Sequence, residues 1–375
     1  MSNPAGEGPV YLDSGSAEPL HPAAREVLLA AYDRGYADPR RLHGPGRDAR
    51  LLLDNAREVV AEALGVRRDE VTFTASGTEA VHRGLLGLAA ARSSTGRRIT
   101  HTAVEHQSVF HAAHWWGGEP DVVAVDHSGR VDPARLARRA EGAAVVAVQS
   151  ANHEVGTLQP IEGLDVGAPV FVDACASMGR LPLPPGWSAL AGSAHKWGGP
   201  PGIGVLLVRK GAGWASPFPG DDRIDERASG FENVPAALAA AAALQAVVAE
   251  RDEVGARQRD LVALIRDRVA LIEGADVLGD PDDRLPHLVT FAFHRLDGEA
   301  LAGELDRLGL GTASGSACAA STLEPSRVLD ALGGLDALTH GNLRVSLTRT
   351  TARADVERLL DVLPGVVARL RAELS

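Results

Sequence analysis

At 375 residues the chain is too long for one simple core and suits about two domains. Its 45% apolar and 23% charged residues describe a soluble globular protein; with no run of eighteen uninterrupted apolar residues and no apolar signal core in Met1–Pro9, neither a membrane span nor a secretory leader is expected, and the cytoplasm is the expected compartment. A net charge of -11 without a basic, aromatic-interleaved cluster argues against direct nucleic-acid binding, and two cysteines, Cys175 and Cys318, are too few for a disulfide scaffold.

In chain order, a strand is expected at Val10–Asp13 and a helix at Pro22–Gly35. The loop from Asp38 to Gly46 leads into a helix at Arg47–Leu64, with apolar residues at Leu51, Leu52, Val59, Val60 and Leu64. Then come a strand at Val71–Thr74, the small-residue turn Ala75-Ser76-Gly77-Thr78-Glu79 and a helix at Ala80–Arg92. That order aims backbone N–H groups at an anion, so phosphate at Gly77 and Thr78 fits it, as does a plain tight turn.

The middle repeats strand, polar loop and helix. Strands are expected at Arg98–Thr102, Val122–Val125, Ala144–Gln149, Val170–Val172, Ser188–Gly192 and Val205–Val208, and helices at Ser108–Trp116 and Asp132–Ala140. The alternation implies an α/β fold with a largely parallel sheet, whose ligands sit at the C-terminal ends of its strands. Polar residues gather there: Glu105-His106, Asn152-His153-Glu154, Asp173, and Ser193 with His195 and Lys196. A long helix at Pro235–Ile272 follows, with a boundary loop at Gly274–Asp283. A second unit has strands at Leu288–Phe293 and Leu343–Leu347 and helices at Gly298–Leu308, Pro325–Leu332 and Ala354–Leu374, the last interrupted or kinked at Pro364.

Of 38 basic residues only Lys196 and Lys210 are lysine. Arginine does not lose its proton at workable pH, whereas a lysine can be desolvated, deprotonated and joined to a carbonyl as a Schiff base. Lys196 stands before the glycine-rich turn Gly198 to Gly204, where backbone can pass close to a bound group, although a surface lysine in a turn is the plainer alternative. Asp173, ending an apolar strand, is either a helix cap or the carboxylate that keeps a pyridine nitrogen protonated. His106 is either a surface histidine or a ring able to stack on a cofactor and move protons.

Taken together, Tyr11-Leu12-Asp13, Asp38-Pro39 with His43 and Gly46, Phe73 to Glu79, Glu105-His106, Asn152 to Gly156, Val172-Asp173-Ala174, Ser193 to Gly204, Ser314 to Cys318, Leu323 to Ser326 and Leu343 to Leu347 resemble the cysteine desulfurases, and among them the long-loop group. These belong to the pyridoxal-phosphate-dependent fold-type-I enzymes of the class V aminotransferase superfamily. The resemblance implies a large domain (14–255) with a mainly parallel seven-stranded sheet and a smaller α+β domain (1–13 and 256–375) carrying the catalytic-cysteine loop. It implies a homodimer acting on L-cysteine with pyridoxal 5'-phosphate, no resident metal, and a protein that accepts the sulfur.

Carried over by position, the resemblance makes Lys196 the Schiff-base and proton-moving residue, Asp173 the partner of the pyridine nitrogen, and His106 the stacking and catalytic ring. Asn152 would position the substrate or the ring oxygen; Gly77, Thr78, Ser193 and His195 would hold the phosphate; and Arg344 would bind the substrate carboxylate. Cys318 would take the sulfur as a persulfide, with alanine released. This chain departs at Ala176, where many desulfurases carry glutamine, at Phe231, where a threonine reaching the partner's phosphate is expected, and at Ser16-Ala17-Glu18 in place of Ala-Thr-Thr. It also ends soon after its last helix, without the tail by which relatives dock an iron–sulfur scaffold, so a different acceptor is expected. The rivals are another class V reaction (selenocysteine lysis, C–S cleavage, transamination) and a weakly active paralogue serving as a partner in a sulfur relay.

Overall fold

The computed structural model describes residues 8–118, 120–220, 225–314, 326–333 and 341–373. In chain order these form β1 (Val10–Tyr11), α1 (Pro22–Arg34), α2 (Gly44–Leu64), β2 (Val71–Thr74), α3 (Gly77–Ala91), β3 (Ile99–Thr102), α4 (Gln107–Trp115), β4 (Asp121–Val123), α5 (Pro133–Ala140), β5 (Val145–Gln149), β6 (Val170–Asp173), β7 (Ala189–Ser193) and β8 (Gly204–Val208). After these come α6 (Val234–Val269), β9 (Ala275–Leu278), β10 (Leu288–Phe293), α7 (Gly298–Arg307), β11 (Leu310–Gly311), α8 (Arg327–Ala331), β12 (Asn342–Ser346) and α9 (Arg353–Glu373).

Seven strands make one sheet in the order β2-β8-β7-β6-β5-β3-β4. The run β7-β6-β5-β3-β4 is parallel, and β8 runs antiparallel to both β7 and β2. Successive strand residues point to opposite faces, and here both faces are apolar. Val146, Val148, Val170, Val172, Leu190, Val205 and Leu207 enter one core with α6 and parts of α1 and α2. Their sequence neighbours Val145, Ala147, Phe171, Ala189, Ala191 and Leu206 enter the other, under α3 and α4. Continuous apolar runs, without alternation, are what this double burial requires.

A second sheet, β12-β10-β9, is antiparallel. Phe291, Phe293, Leu343 and Val345 pack with Leu301 and Leu305 of α7 and Val356, Leu359 and Leu363 of α9. The 36-residue α6 joins the two cores, with Ala236 to Leu244 in the first and Leu261 to Val269 in the second. It is long and apolar enough to cross a membrane by composition, yet half of its most apolar window is buried against these cores. A parallel pair, β1 and β11, and a bridge from Asp13 to Ser346 bring the N-terminal segment onto the second sheet.

Three expectations are corrected. The Gly274–Asp283 stretch contains β9, an edge strand of only four residues after Gly274. α2 begins at Gly44, not Arg47, because the His43 ring accepts from the Gly46 N–H and Pro45 occupies the first turn, where no N–H is needed. α9 continues through Pro364 without interruption, its Leu359, Leu363, Val366 and Val367 anchored in the core on both sides of the proline.

Candidate active site

The parallel strands β5, β6 and β7 all end at one edge, with Gln149 opposite Asp173 and Ser193 two residues beyond Asp173's partner Ala191. There a cleft of about 260 Å³ opens between the two sheets. The sequence-derived residues Gly77, Thr78, His106, Asp173, Ser193, His195, Lys196 and Arg344 all line it.

One end is built for an anion. Ser76 caps α3 by accepting from the Glu79 N–H at 3.0 Å, and Gly77 and Thr78 of the first turn, where helix N–H groups lack intrahelical partners, line the cleft. A Cβ on Gly77 would lie 2.6 Å from the Ser193 Cβ and 2.8 Å from its Oγ, so the helix start approaches β7 as closely as only glycine permits. Ser193 Oγ and His195 Nδ1 are 3.1 Å apart and complete a neutral polar rim, since burial and the nearby Lys196 charge lower the imidazole's proton affinity.

In the middle, the buried Asp173 accepts from the Cys175 N–H at 2.9 Å through one carboxylate oxygen. His106 caps α4, its Nδ1 2.8 Å from Ser108 Oγ and 3.2 Å from Ser108 N, which fixes the ring plane at the cleft. Burial lowers the His106 pKa and the Asp173 charge opposes that shift. Beneath them Glu105 accepts from Thr102 and, at 3.0 Å, from the Gln149 N–H, and burial pushes its pKa up to about 8.

Lys196 follows β7 in a short turn, and its Nζ donates to the Gly15 carbonyl at 2.9 Å. Arg344, on β12 and 4% exposed, enters from the second sheet. It donates to Asp13 at 2.8 Å, to Ser16 Oγ at 2.6 Å and to the His153 carbonyl at 3.1 Å, while its buried Nε has no partner among the described residues. A guanidinium held in plane with an N–H to spare suits a carboxylate.

Asn152 is a correction. It is fully buried and does not line the cleft; its Oδ1 accepts from the Glu154 and Val155 N–H groups at 2.8 Å and its amide donates to the Val104 carbonyl at 3.1 Å. It shapes the turn that carries His153, which does line the cleft. Cys318 lies outside the described residues. Cys175 lines the cleft, but burial and the Asp173 charge push its thiol well up, so it stays protonated at neutral pH. Residues given no role from sequence complete the wall: His153, Gly15 and Gln149, with Glu18 and Arg180 behind the lysine turn.

A family model described as aminotransferase class-V matches residues 10–359. The chain is similar to an IscS-like cysteine desulfurase of Mycobacterium tuberculosis, with 38% identity covering 96% of this chain and 97% of that protein. With the cysteine desulfurase NifS of Azotobacter vinelandii it shares 34% identity, covering 96% and 93%. Among solved structures, a NifS-like protein superposes with a TM-score of 0.88 at 27% identity, covering 96% of this chain and all of that one.

Proposed function

This chain belongs to the aminotransferase class-V family, and from that premise we propose that it is a cysteine desulfurase that takes sulfur from L-cysteine with pyridoxal 5'-phosphate, leaves it as a persulfide on Cys318 and releases alanine. The observation that carries this reading is the convergence in one cleft of a lysine, a buried carboxylate, an imidazole, a capped helix start and a buried arginine. The cleft fits the cofactor. The close approach at Gly77, with Thr78, Ser193 and His195, suits a phosphate, and Asp173 suits a protonated ring nitrogen. Pyridoxal phosphate, when bound, supplies a carbonyl for an amine and a ring that draws electrons from the substrate's α-carbon.

The protein's own groups do the rest. Lys196 is the amine that would hold the cofactor and would move the proton at the substrate α-carbon. His106, fixed by Ser108, would stack on the cofactor ring. Arg344, steadied by Asp13 and Ser16 and lining the cleft, would hold the substrate carboxylate. A cysteine among glycine, serine and alanine is suited to attack a substrate sulfur, which is the role given to Cys318; Cys175, held as a thiol, is not.

The same reading includes a cytoplasmic homodimer, a division into 14–255 and 1–13 with 256–375, and a protein that accepts the sulfur. Exposed apolar side chains on and beside α1 and α2, with Leu42 87% and Leu51 70% exposed, support association of two copies. Mass spectrometry after incubation with L-cysteine is the test: an added sulfur on Cys318 is expected, lost in Cys318→Ser, and sulfur on Cys175 instead would overturn the assignment.

A further inference from the structure

The substrate's carboxylate and amine have partners in this cleft; Cys318, the residue given the sulfur, lies outside the described residues, and among the described ones the desulfurase reading names no hydrogen-bond partner for the thiol. His106 directs Nδ1 to Ser108, Ser16 is tied to Asp13 at 3.0 Å and to Arg344 at 2.6 Å, and Asp173 is reserved for the cofactor. His195 is turned to Ser193 at the anion end, 3.1 Å away, so the remaining cleft imidazole is His153. Its backbone carbonyl accepts from Arg344 at 3.1 Å, so its side chain leaves the chain beside the guanidinium that would hold the substrate carboxylate. The ring meets the His106 ring edge-on, with centroids 5.2 Å apart and planes at 72°. Its Nε2 stands 3.5 Å from Glu154 Oε1, and Glu154 is in turn held through its other oxygen by Ser326.

We infer that His153 is a specificity-determining residue that accepts the hydrogen of the substrate thiol. Glu154 beside Nε2 favours the tautomer that carries its hydrogen there, which leaves Nδ1 as an acceptor. Burial above all, and then His106, Lys196 and Arg344 facing the ring, keep the imidazole neutral, with the Glu154 carboxylate the one acidic group beside it. A neutral imidazole accepts a hydrogen bond where an imidazolium cannot. No bond other than this hydrogen bond is formed or broken.

The inference rests on the proposed reaction, but its test does not require turnover. The full-length, cofactor-loaded Cys318→Ser protein is titrated with L-cysteine and with L-alanine, which lacks only the thiol, and binding is followed in the visible spectrum. Adding His153→Leu is expected to weaken L-cysteine about two- to tenfold, the range of one neutral hydrogen bond, and to leave L-alanine unchanged. His153→Gln, which keeps an acceptor, is expected to restore part of the difference. Equal loss for both amino acids, loss for neither, or no preference for cysteine in the parent protein would overturn the assignment. Failure of the wild-type protein to form alanine from cysteine would instead count against the proposed reaction, whichever way the affinities fall.

Discussion

Arg180 grips the backbone of Lys196: one guanidinium nitrogen donates to the Lys196 carbonyl at 3.0 Å and to Glu18 Oε2 at 2.8 Å. Both side chains are buried, Arg180 8% and Glu18 4% exposed. Glu18 also receives the Arg349 N–H at 3.0 Å, and its own N–H donates to the His195 carbonyl at 2.8 Å. The segment before α1 thus fixes the lysine turn from behind while Gly15 receives the amine from in front. Removing one partner of such a pair strands a buried charge, which costs about 3–5 kcal/mol. Arg180→Met is therefore expected to lower the denaturation midpoint markedly, and Arg180→Met with Glu18→Gln to recover much of it; chemical denaturation of the three proteins checks this.

The protein is expected to purify yellow, with a visible band that borohydride fixes to the chain. Lys196→Ala should have no band that borohydride can fix, because Lys210, the other lysine, stands outside the cleft. Absorbance before and after reduction, followed by peptide mapping, reads the result.

Arg344→Lys keeps the charge but loses the planar fork that Asp13 and Ser16 orient. Charge-assisted hydrogen bonds to a carboxylate are worth about 1.5–3 kcal/mol, so KM for L-cysteine should rise roughly tenfold or more. Steady-state kinetics should place most of the effect in KM.

Glu105 gives a pH dependence of stability with a definite sign. Its folded pKa, about 8, lies above the ordinary 4.5, so the folded state binds the extra proton. The stabilisation is fully present below about 4.5 and is lost as pH rises through about 8. Glu105→Gln, which imitates the protonated acid, should flatten the decline of stability across that window. Denaturation midpoints at mildly acidic and alkaline pH compare the two proteins.

Much of this was legible in the sequence because it follows from local pattern. Val145–Gln149 and Val170–Asp173 announce doubly buried strands by lacking alternation, and the polar residues at their ends mark the cleft. The anion end was legible in Ser76-Gly77-Thr78 because a cap, a small residue and a helix start are neighbours in the chain. The Glu18–Arg180 pair was not, since its members are 162 positions apart and nothing local requires either. Asn152 and His153 show the finer limit. Adjacent residues in a turn point in different directions, and only the fold shows that the amide holds the turn while the imidazole meets the cleft. β9 escaped notice because four residues at a sheet edge carry little periodic signal.

The most direct measurement of the central claim is the product balance when L-cysteine is given to the cofactor-loaded protein with a thiol reductant. Alanine and sulfide should appear in equal amounts, with neither formed by Lys196→Ala. Sulfide accompanied by pyruvate and ammonia, or no turnover of cysteine by a folded, cofactor-loaded protein, would contradict it.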